Sequence, residues 1–230
     1  MKRPSNELWV VPLGRTPYHQ CWDLQEGLSR RRQGGEVPDL LLMTEHDPVY
    51  TLGTAGSDSH LLKSEPDLRR QGIGVVRCNR GGDVTCHAPG QLVGYPIIDL
   101  HSFYLDLHRY LRDLEEVVIR AIAAFGIRAG RVGGLTGVWV EGEKICAIGI
   151  RTRRWVTMHG FALNVNNDLS LFRNIVPCGI RNRGVTSLAA QLGRPVAMGD
   201  VAASVTEEFA ALFGLQAVPV TPAALQPQSA

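Results

Sequence analysis

The stretch Arg80-Gly81-Gly82-Asp83-Val84-Thr85-Cys86-His87-Ala88-Pro89-Gly90-Gln91 connects two hydrophobic segments of this 230-residue chain. It brings glycines together with a cation, a hydroxyl, an imidazole and an amide. Glycine adopts positive φ readily and lets a ligand approach the backbone closely. Hairpin loops usually contain about two to five residues, so a polar connection of this length predicts a binding loop.

Short apolar runs on both sides of this loop predict the strands of a sheet. The runs are residues 8–13, 39–44, 48–53, 73–78, 92–99, 137–140, 144–151 and 156–165. The link Glu141-Gly142-Glu143 is short enough to join the strands on either side of it as a hairpin.

Four segments have the apolar spacing or the end signals of helices: residues 16–34, 104–125, 185–192 and 199–213. Thr16 and Pro17 predict the N-cap and first position of the first helix. Gly126 predicts the end of the second helix, and Asp200 is the predicted cap of the last. Helices and strands are interspersed without strict alternation, which favours an α/β (α+β) fold with a mixed sheet flanked by helices. We expect one catalytic domain over residues 1–220, with a small C-terminal lobe from about residue 176 as the alternative. Residues 221–230 predict a flexible tail.

Composition excludes several classes of protein. The net charge of +2 is too small to indicate nucleic-acid binding, and no apolar run approaches the ~20 residues of a membrane span. The five cysteines include no Cys-x-x-Cys pair, which favours reduced thiols in a cytoplasm. Arginine clusters at residues 30–32, 69–70 and 151–154 suit an acidic protein partner, although solvated helix and strand ends would explain each of them too.

Cys178 is the candidate nucleophile. Pro177 before it and Gly179 after it predict a turn that holds the thiol at a defined, accessible place. A free thiol is only a few per cent ionised at neutral pH, so it needs a base or a cationic neighbour. Lys144, at the start of an apolar strand, is the candidate partner, since an amine in a partly desolvated site can accept a thiol proton. A buried structural cysteine and an exposed strand-end lysine remain the alternatives.

Other chemistries have weaker support. Cys78, Cys86, His87 and His159 match no known spacing of zinc ligands, so no metal is expected. Ser170 and Ser187 lack the strand-turn-helix context of a serine nucleophile. The pattern G-x-x-x-x-G-K-[ST] is absent, and no G-x-G-x-x-G follows a strand, which weakens a nucleotide-dependent reaction.

Three separated motifs resemble the octanoyltransferases of lipoate biosynthesis. They are Arg80–Gln91, the segment Gly142-x-Lys144-Ile145-x-x-Ile148-Gly149 with His159-Gly160-Phe161-Ala162-Leu163-Asn164, and Pro177-Cys178-Gly179-Ile180 with Val185-Thr186-Ser187-Leu188. One departure is Ala88, where the family pattern usually has glycine. The resemblance implies the fold of biotin and lipoate protein ligases, and an acyltransferase that needs no cofactor and no metal.

The resemblance also implies the partners and the site. Octanoyl-acyl carrier protein would be the donor; lipoyl domains of 2-oxoacid dehydrogenases and glycine-cleavage H protein would be the acceptors. Cys178 would form the acyl-thioester and Lys144 would activate it. The residues implied for substrate binding are Arg80, Gly81, Gly82, Asp83, Val84, Thr85, Cys86, His87, Ala147, Ile148, Gly149, Gly160, Phe161 and Ala162.

Three alternatives stay open. An ATP-dependent lipoate ligase of the same fold adenylates its substrate and needs no cysteine, so the Cys178 turn argues against it. A non-catalytic module that binds carrier proteins or lipoyl domains, and a cysteine hydrolase, are the others. No heptad pattern demands a dimer, so we expect a monomer.

Overall fold

The structure is a computed structural model that describes residues 6–180 and 182–226. Its strands are β1 (Glu7–Thr16), β2 (Asp39–His46), β3 (Val49–Leu52), β4 (Gly74–Arg77), β5 (Val84–His87), β6 (Gln91–Ile97), β7 (Gly130–Val132), β8 (Leu135–Val140), β9 (Glu143–Arg153), β10 (Val156–Asn164) and β11 (Gln216–Pro219). Its α-helices are α1 (Tyr18–Gln33), α2 (Glu65–Arg70), α3 (Leu107–Ala123), α4 (Leu188–Leu192) and α5 (Met198–Phe213).

Eight strands form a mixed sheet in the order β11-β1-β2-β6-β10-β9-β8-β7. β1 pairs with β2 and β11 in parallel, whereas the strands from β2 through β6 to β7 pair antiparallel. A second sheet of three strands has the order β4-β3-β5. The predicted mixed α/β fold is confirmed, and so is the hairpin that joins β8 to β9.

Successive side chains of each strand point to opposite faces of the large sheet, and both faces are buried. On one face, Leu41 and Met43 of β2 pack with α3 and α5 in a large core. On the other face, Leu40 and Leu42 pack with Leu28 of α1 in a smaller core. A third core lies between the three-stranded sheet, α2 and the segment around Phe172. Within the described residues, no helix combines the length and the apolar composition needed to cross a bilayer.

Several predicted boundaries are wrong for local reasons. Pro17, not Thr16, is the N-cap of α1 and forms no side-chain cap. Ala197 precedes α5, so Asp200 lies in its first turn instead of capping it. Ser187 caps α4, which therefore starts three residues later than predicted.

Three strands were absent from the sequence-based prediction: β5, β7 and β11. The first lies inside the predicted binding loop, where it pairs with β3. Within the predicted tail, Pro222–Leu225 form a 3-10 helix and Leu225 packs in the smaller core. Residues 227–230 of that tail lie outside the described residues.

Candidate active site

Cys178 and Lys144 meet at one end of a cavity. Lys144 Nζ donates a hydrogen bond to Cys178 Sγ at 3.1 Å. The lysine is the second residue of β9 and is only 6% exposed, whereas Cys178 lies half-buried in the 3-10 turn Pro177–Gly179. The fold therefore brings the two predicted catalytic residues within hydrogen-bond distance.

Cys178 has an unusual backbone conformation. Its φ of 55° and ψ of 23° lie in the left-handed region, which costs a non-glycine residue about 1–2 kcal/mol. The turn is closed by hydrogen bonds from Gly179 N to Val176 O (3.0 Å) and from Ile180 N to Pro177 O (2.9 Å). The surrounding structure must hold this strained residue in place, and strain of this kind is concentrated at functional sites.

The lysine is fixed by its neighbours on two sides. Its backbone N donates to Gly184 O, and its O accepts from Thr186 N, each at 3.0 Å. Its Nζ lies 4.8 Å from the centroid of the Trp139 ring. A Cβ at Gly137, where φ is 120°, would lie 3.4 Å from Lys144 Cε and 2.6 Å from a backbone oxygen. Glycine at 137 thus allows the close approach of the Cys146 backbone oxygen, beside the lysine side chain.

A cavity of about 450 Å³ extends from this pair along the large sheet and under the three-stranded sheet. Twelve of the fourteen predicted substrate-binding residues line it: Arg80, Gly81, Gly82, Asp83, Thr85, His87, Ala147, Ile148, Gly149, Gly160, Phe161 and Ala162. The large sheet supplies mainly small and apolar residues, whereas the loop before β5 and β5 itself supply the charged and polar residues.

Val84 and Cys86 are the two exceptions. Their side chains pack in the core of the three-stranded sheet, beside Tyr50 and Leu52, and do not line the cavity. The reason is the missed strand β5: successive side chains of a strand point to opposite faces. Thr85 and His87 therefore face the cavity, while their neighbours face the core. The assignment of Val84 and Cys86 to substrate binding stays a prediction, with their side chains packed in the core and not in the cavity lining.

Arg80 is a buried cation at the cavity wall. It is 7% exposed, and its Nε and Nη2 donate to Thr51 Oγ1 at 3.2 and 2.9 Å. Nη1 donates to the backbone oxygen of Gly81 at 3.1 Å. Among the ion pairs of the described residues, none involves Arg80. The guanidinium is held by neutral acceptors, so its charge remains available to a polar ligand group.

Hydrogen bonds fix the tautomer of His87. Gln91 Nε2 donates to Asn164 Oδ1 (2.9 Å) and to the backbone oxygen of Cys86 (3.0 Å). Gln91 Oε1 is then the acceptor 2.9 Å from His87 Nδ1, so this nitrogen carries the hydrogen. Burial, followed by the charges of His46 and Arg80, holds the pKa of His87 well below its usual range. His87 is a neutral ring at neutral pH.

Sequence reasoning missed the aromatic end of the cavity. Tyr18 stacks on His87 with ring centroids 5.7 Å apart, and Tyr95 also lines the cavity. His159 lies there with φ of 56°, and its Nε2 is 2.7 Å from Asn79 Oδ1. Burial, then the charge of Arg80, lowers the pKa of His159 to about 3. His159 was part of the second motif but was given no role there, and Tyr18 had no sequence signal, because a helix start does not reveal which sheet its side chain meets.

The sequence also raised, and disfavoured, a metal site. Within residues 6–180 and 182–226, no group of three or more His, Cys, Asp or Glu side chains is arranged to hold an ion. Cys86 faces the core, away from His87, so these neighbours in sequence do not converge on one point. All five cysteines are free thiols.

The model of the lipoyl protein ligase A/B catalytic domain matches residues 17–210 of this chain. The matched span includes the loop at Arg80–Gln91, Lys144 and Cys178. The chain belongs to this family. An octanoyltransferase of Rubrobacter xylanophilus is 54% identical over 203 residues, which cover 87% of this chain and 91% of that relative. The resemblance predicted from the three motifs is therefore confirmed.

Solved structures show the same fold. A lipoate-protein ligase A bound with ATP matches with a TM-score of 0.73 at 18% identity, covering 95% of this chain and 92% of that one. A biotin protein ligase of Aquifex aeolicus in complex with biotin and ATP matches with a TM-score of 0.54 at 15% identity, covering 90% and 70%. This likeness confirms the predicted ligase-like fold.

Proposed function

We propose that this chain transfers an octanoyl group from octanoyl-acyl carrier protein to a lysine of lipoyl domains and of glycine-cleavage H protein, through a thioester on Cys178. The observation that carries this proposal is the 3.1 Å contact between Lys144 Nζ and Cys178 Sγ at the end of a partly apolar cavity. Close relatives that are octanoyltransferases support the choice of acyl group.

In the first step, Lys144 accepts the thiol proton and the Cys178 sulfur attacks the thioester carbonyl of the donor. The bond between the acyl carbon and the donor sulfur then breaks. The donor thiolate leaves and takes up the proton from Lys144. One thioester replaces another, so the step is close to thermoneutral.

In the second step, the amine of the acceptor lysine attacks the Cys178 thioester. The new amide bond forms, the bond between the acyl carbon and Cys178 Sγ breaks, and the proton of the amine returns to the thiolate by way of Lys144. A thioester is less stable than an amide, so this step runs downhill and needs no nucleotide.

The register of β9 and β10 supports a slot for an eight-carbon chain. Ala147 pairs with Ala162, and Gly149 pairs with Gly160, so small residues face each other at two successive levels of the cavity. The levels are about 6–7 Å apart along the strands. An extended chain of eight carbons spans ~8–9 Å, because three of its bonds reach about as far as the three backbone bonds of one extended residue. Each methylene that leaves water contributes about 0.8 kcal/mol.

The surface near this slot supports acidic protein partners. Arg151, Arg153 and Arg154 are exposed at the β9–β10 hairpin, where β9 continues beyond the residues that line the cavity. Arg183 is also exposed, and its guanidinium lies 5.6 Å from the centroid of the Trp139 ring, beside Lys144. Such positive charges speed association with acidic carriers. A cytoplasmic location is part of this proposal, because the free thiol of Cys178 must stay reduced.

Intact-protein mass spectrometry tests the proposal. We expect octanoyl-acyl carrier protein to leave one octanoyl adduct on the wild-type chain, and a lipoyl domain added afterwards to remove it. The variant Cys178→Ala should form no adduct, whereas the matched control Cys146→Ala should form it normally.

The alternatives give different results in the same experiment. A ligase would form product only with ATP and would leave no adduct. A hydrolase would release free octanoate faster than it forms amide. A binding module would show neither adduct nor product, and any of these three outcomes would contradict the proposal.

A further inference from the structure

We infer that His60 is a positioning residue that acts through Asp83 to hold the Cys178 turn in its reactive conformation. This inference rests on the proposed function of Cys178 as the nucleophile. It begins from the strain at that residue, because a left-handed cysteine relaxes unless its neighbours prevent it.

The backbone around His60 is tied to the segment that precedes the turn. Leu62 N donates to Asn174 O at 2.8 Å, and Val176 N donates to His60 O at 2.9 Å. Leu61 and Ile175 form an antiparallel bridge between these two hydrogen bonds. Residues 60–62 thus lie antiparallel to residues 174–176, like a short strand. The backbone of His60 is bonded to Val176, which precedes Cys178 by two residues.

The His60 side chain reaches the loop before β5. Its Nδ1 lies 2.5 Å from Asp83 Oδ2, within ion-pair range, although the ring N–H does not point straight at the oxygen. The other oxygen of Asp83 accepts from Val84 N at 2.7 Å and from Ser57 N at 3.3 Å. The carboxylate therefore joins the binding loop, the segment at Ser57 and the segment at His60.

His60 and Asp83 pack against Gly179, the residue that follows Cys178. A Cβ built on Gly179 would lie 2.9 Å from Asp83 Oδ2 and 3.4 Å from His60 Cε1. The turn is consequently packed against both partners, and Gly179 itself has φ of 71°. Without the imidazole of His60, the Asp83 carboxylate would lose a contact and Gly179 would lose one of the side chains packed against it. Relaxation of Cys178 toward ordinary φ would then move its sulfur away from Lys144.

His60 does not contact the reacting atoms. In the described residues, the hydrogen bond of Lys144 Nζ goes to Cys178, and none links His60 to either of them. The side chain of His60 is about a quarter exposed, at the rim of the site. Its effect on the reaction is therefore transmitted by Asp83 and by the turn.

Three variants of His60 test the inference by the position of the nitrogen that contacts Asp83. The amide nitrogen of His60→Asn occupies nearly the place of Nδ1, whereas that of His60→Gln reaches toward the place of Nε2. We expect His60→Ala to slow the first acyl transfer about tenfold, with an unchanged KM for the donor. His60→Asn should restore the rate to within about threefold of wild type, and His60→Gln should remain slow.

The matched control is His101→Ala. His101 Nδ1 lies 2.7 Å from Asp99 Oδ1, a comparable pair that does not line the cavity. It should leave the rate unchanged. Alkylation of Cys178 by iodoacetamide, measured on the same proteins, should follow the same order, since it reports the position of the thiol beside Lys144 without any acyl donor.

Two results would overturn the inference. One is a wild-type rate of acylation and alkylation for His60→Ala. The other is an equal loss in all three variants with a shifted pH–rate profile, which would make the imidazole an acid or base. Failure of the proposed function looks different, because the wild-type protein would then form no adduct. If the wild-type protein forms no adduct, the rates of Cys178 alkylation still decide the role of His60. If His60→Ala does not fold, the comparison of His60→Asn with His60→Gln decides it.

Discussion

The two ends of the cavity treat titratable groups in opposite ways. At one end, Lys144 and Cys178 face each other at 3.1 Å, so a proton can pass between them. At the other end, His87, His159 and Tyr95 are buried, and burial is the largest cause of the shift in the pKa of each. Those shifts favour neutral rings at neutral pH. The first end has the geometry that the proposed proton transfer needs, and the second is an uncharged wall.

Cys146 shows why a thiol near Lys144 is not sufficient. It lies two residues along β9 from the lysine, is completely buried, and its Sγ contacts the backbone oxygen of Ala147 at 3.5 Å. Burial raises the pKa of this thiol, and the charge of Lys144 opposes the shift only in part. A reactive thiol therefore needs a partly accessible position as well as a basic neighbour.

The contrast between the two ends would not hold if the Lys144 amine were dispensable for acyl transfer. We expect Lys144→Ala to lower the rate of the first acyl transfer by ~10²–10³-fold, as removal of a general base usually does. Lys144→Arg should not rescue it, because a guanidinium stays protonated. Single-turnover quench-flow measures the rate, and Lys63→Ala, at an exposed lysine, is the control. A rate within tenfold of wild type for Lys144→Ala would refute the assignment.

The neutral end predicts how stability depends on pH. Burial lowers the pKa of His87 and His159 in the folded chain, so the unfolded chain binds protons near pH 6.5 that the folded chain does not. Their contribution to stability is complete above pH 6.5 and is lost as the pH falls, toward about 3 for His159. We expect the free energy of unfolding to drop by ~3 kcal/mol between pH 7.5 and 5.5 from these two groups.

Urea unfolding at the two pH values checks this expectation. His159→Asn should reduce the drop by about 1.4 kcal/mol, since one pKa unit per group corresponds to that free energy. Asparagine tolerates the positive φ at this position better than other residues do. His108→Gln, at an exposed histidine, should leave the drop unchanged. An unchanged drop in His159→Asn would show that this ring is protonated in the folded chain.

A substitution in the slot between the two ends should have a smaller effect on the reaction. Ala147→Leu adds a branched side chain where Ala147 faces Ala162, part of the way along the slot. We expect kcat/KM for an octanoyl donor to fall roughly 15- to 60-fold, since two or three methylenes lose their place in the slot. A butanoyl donor should be affected much less. The ratio of the two kcat/KM values is the measurement, and an equal loss for both donors would mean that the chain runs elsewhere.

Much of this site was predictable because its motifs act locally. Pro177 and Gly179 define a turn from residue type alone, and the glycines at 81 and 82 mark a loop that approaches a ligand. The apolar runs at residues 144–151 and 156–165 predicted two strands, which the structure confirms, and there they pair with each other. The mixed sheet followed from the irregular order of helices and strands.

Other features needed the fold. Within the loop at Arg80–Gln91, no period reveals that residues 84–87 pair with β3, so the sequence could not show that the side chains of Val84 and Cys86 face the core. Tyr18 and His60 come from an α-helix and a short 3-10 helix that carry no signal of their role. Their contacts with His87 and with Asp83 join residues far apart in sequence.

The sequence by itself determined the kinds of groups present: a thiol on a corner, an amine on a strand and a glycine-rich loop, together with the family that carries them. The tertiary structure decided which atoms meet, which side chains of β5 face the cavity and which imidazoles are neutral. The physical reason is that turn conformation depends on adjacent residues, whereas distance, burial and pKa depend on the pairing of segments that only the folded chain brings together.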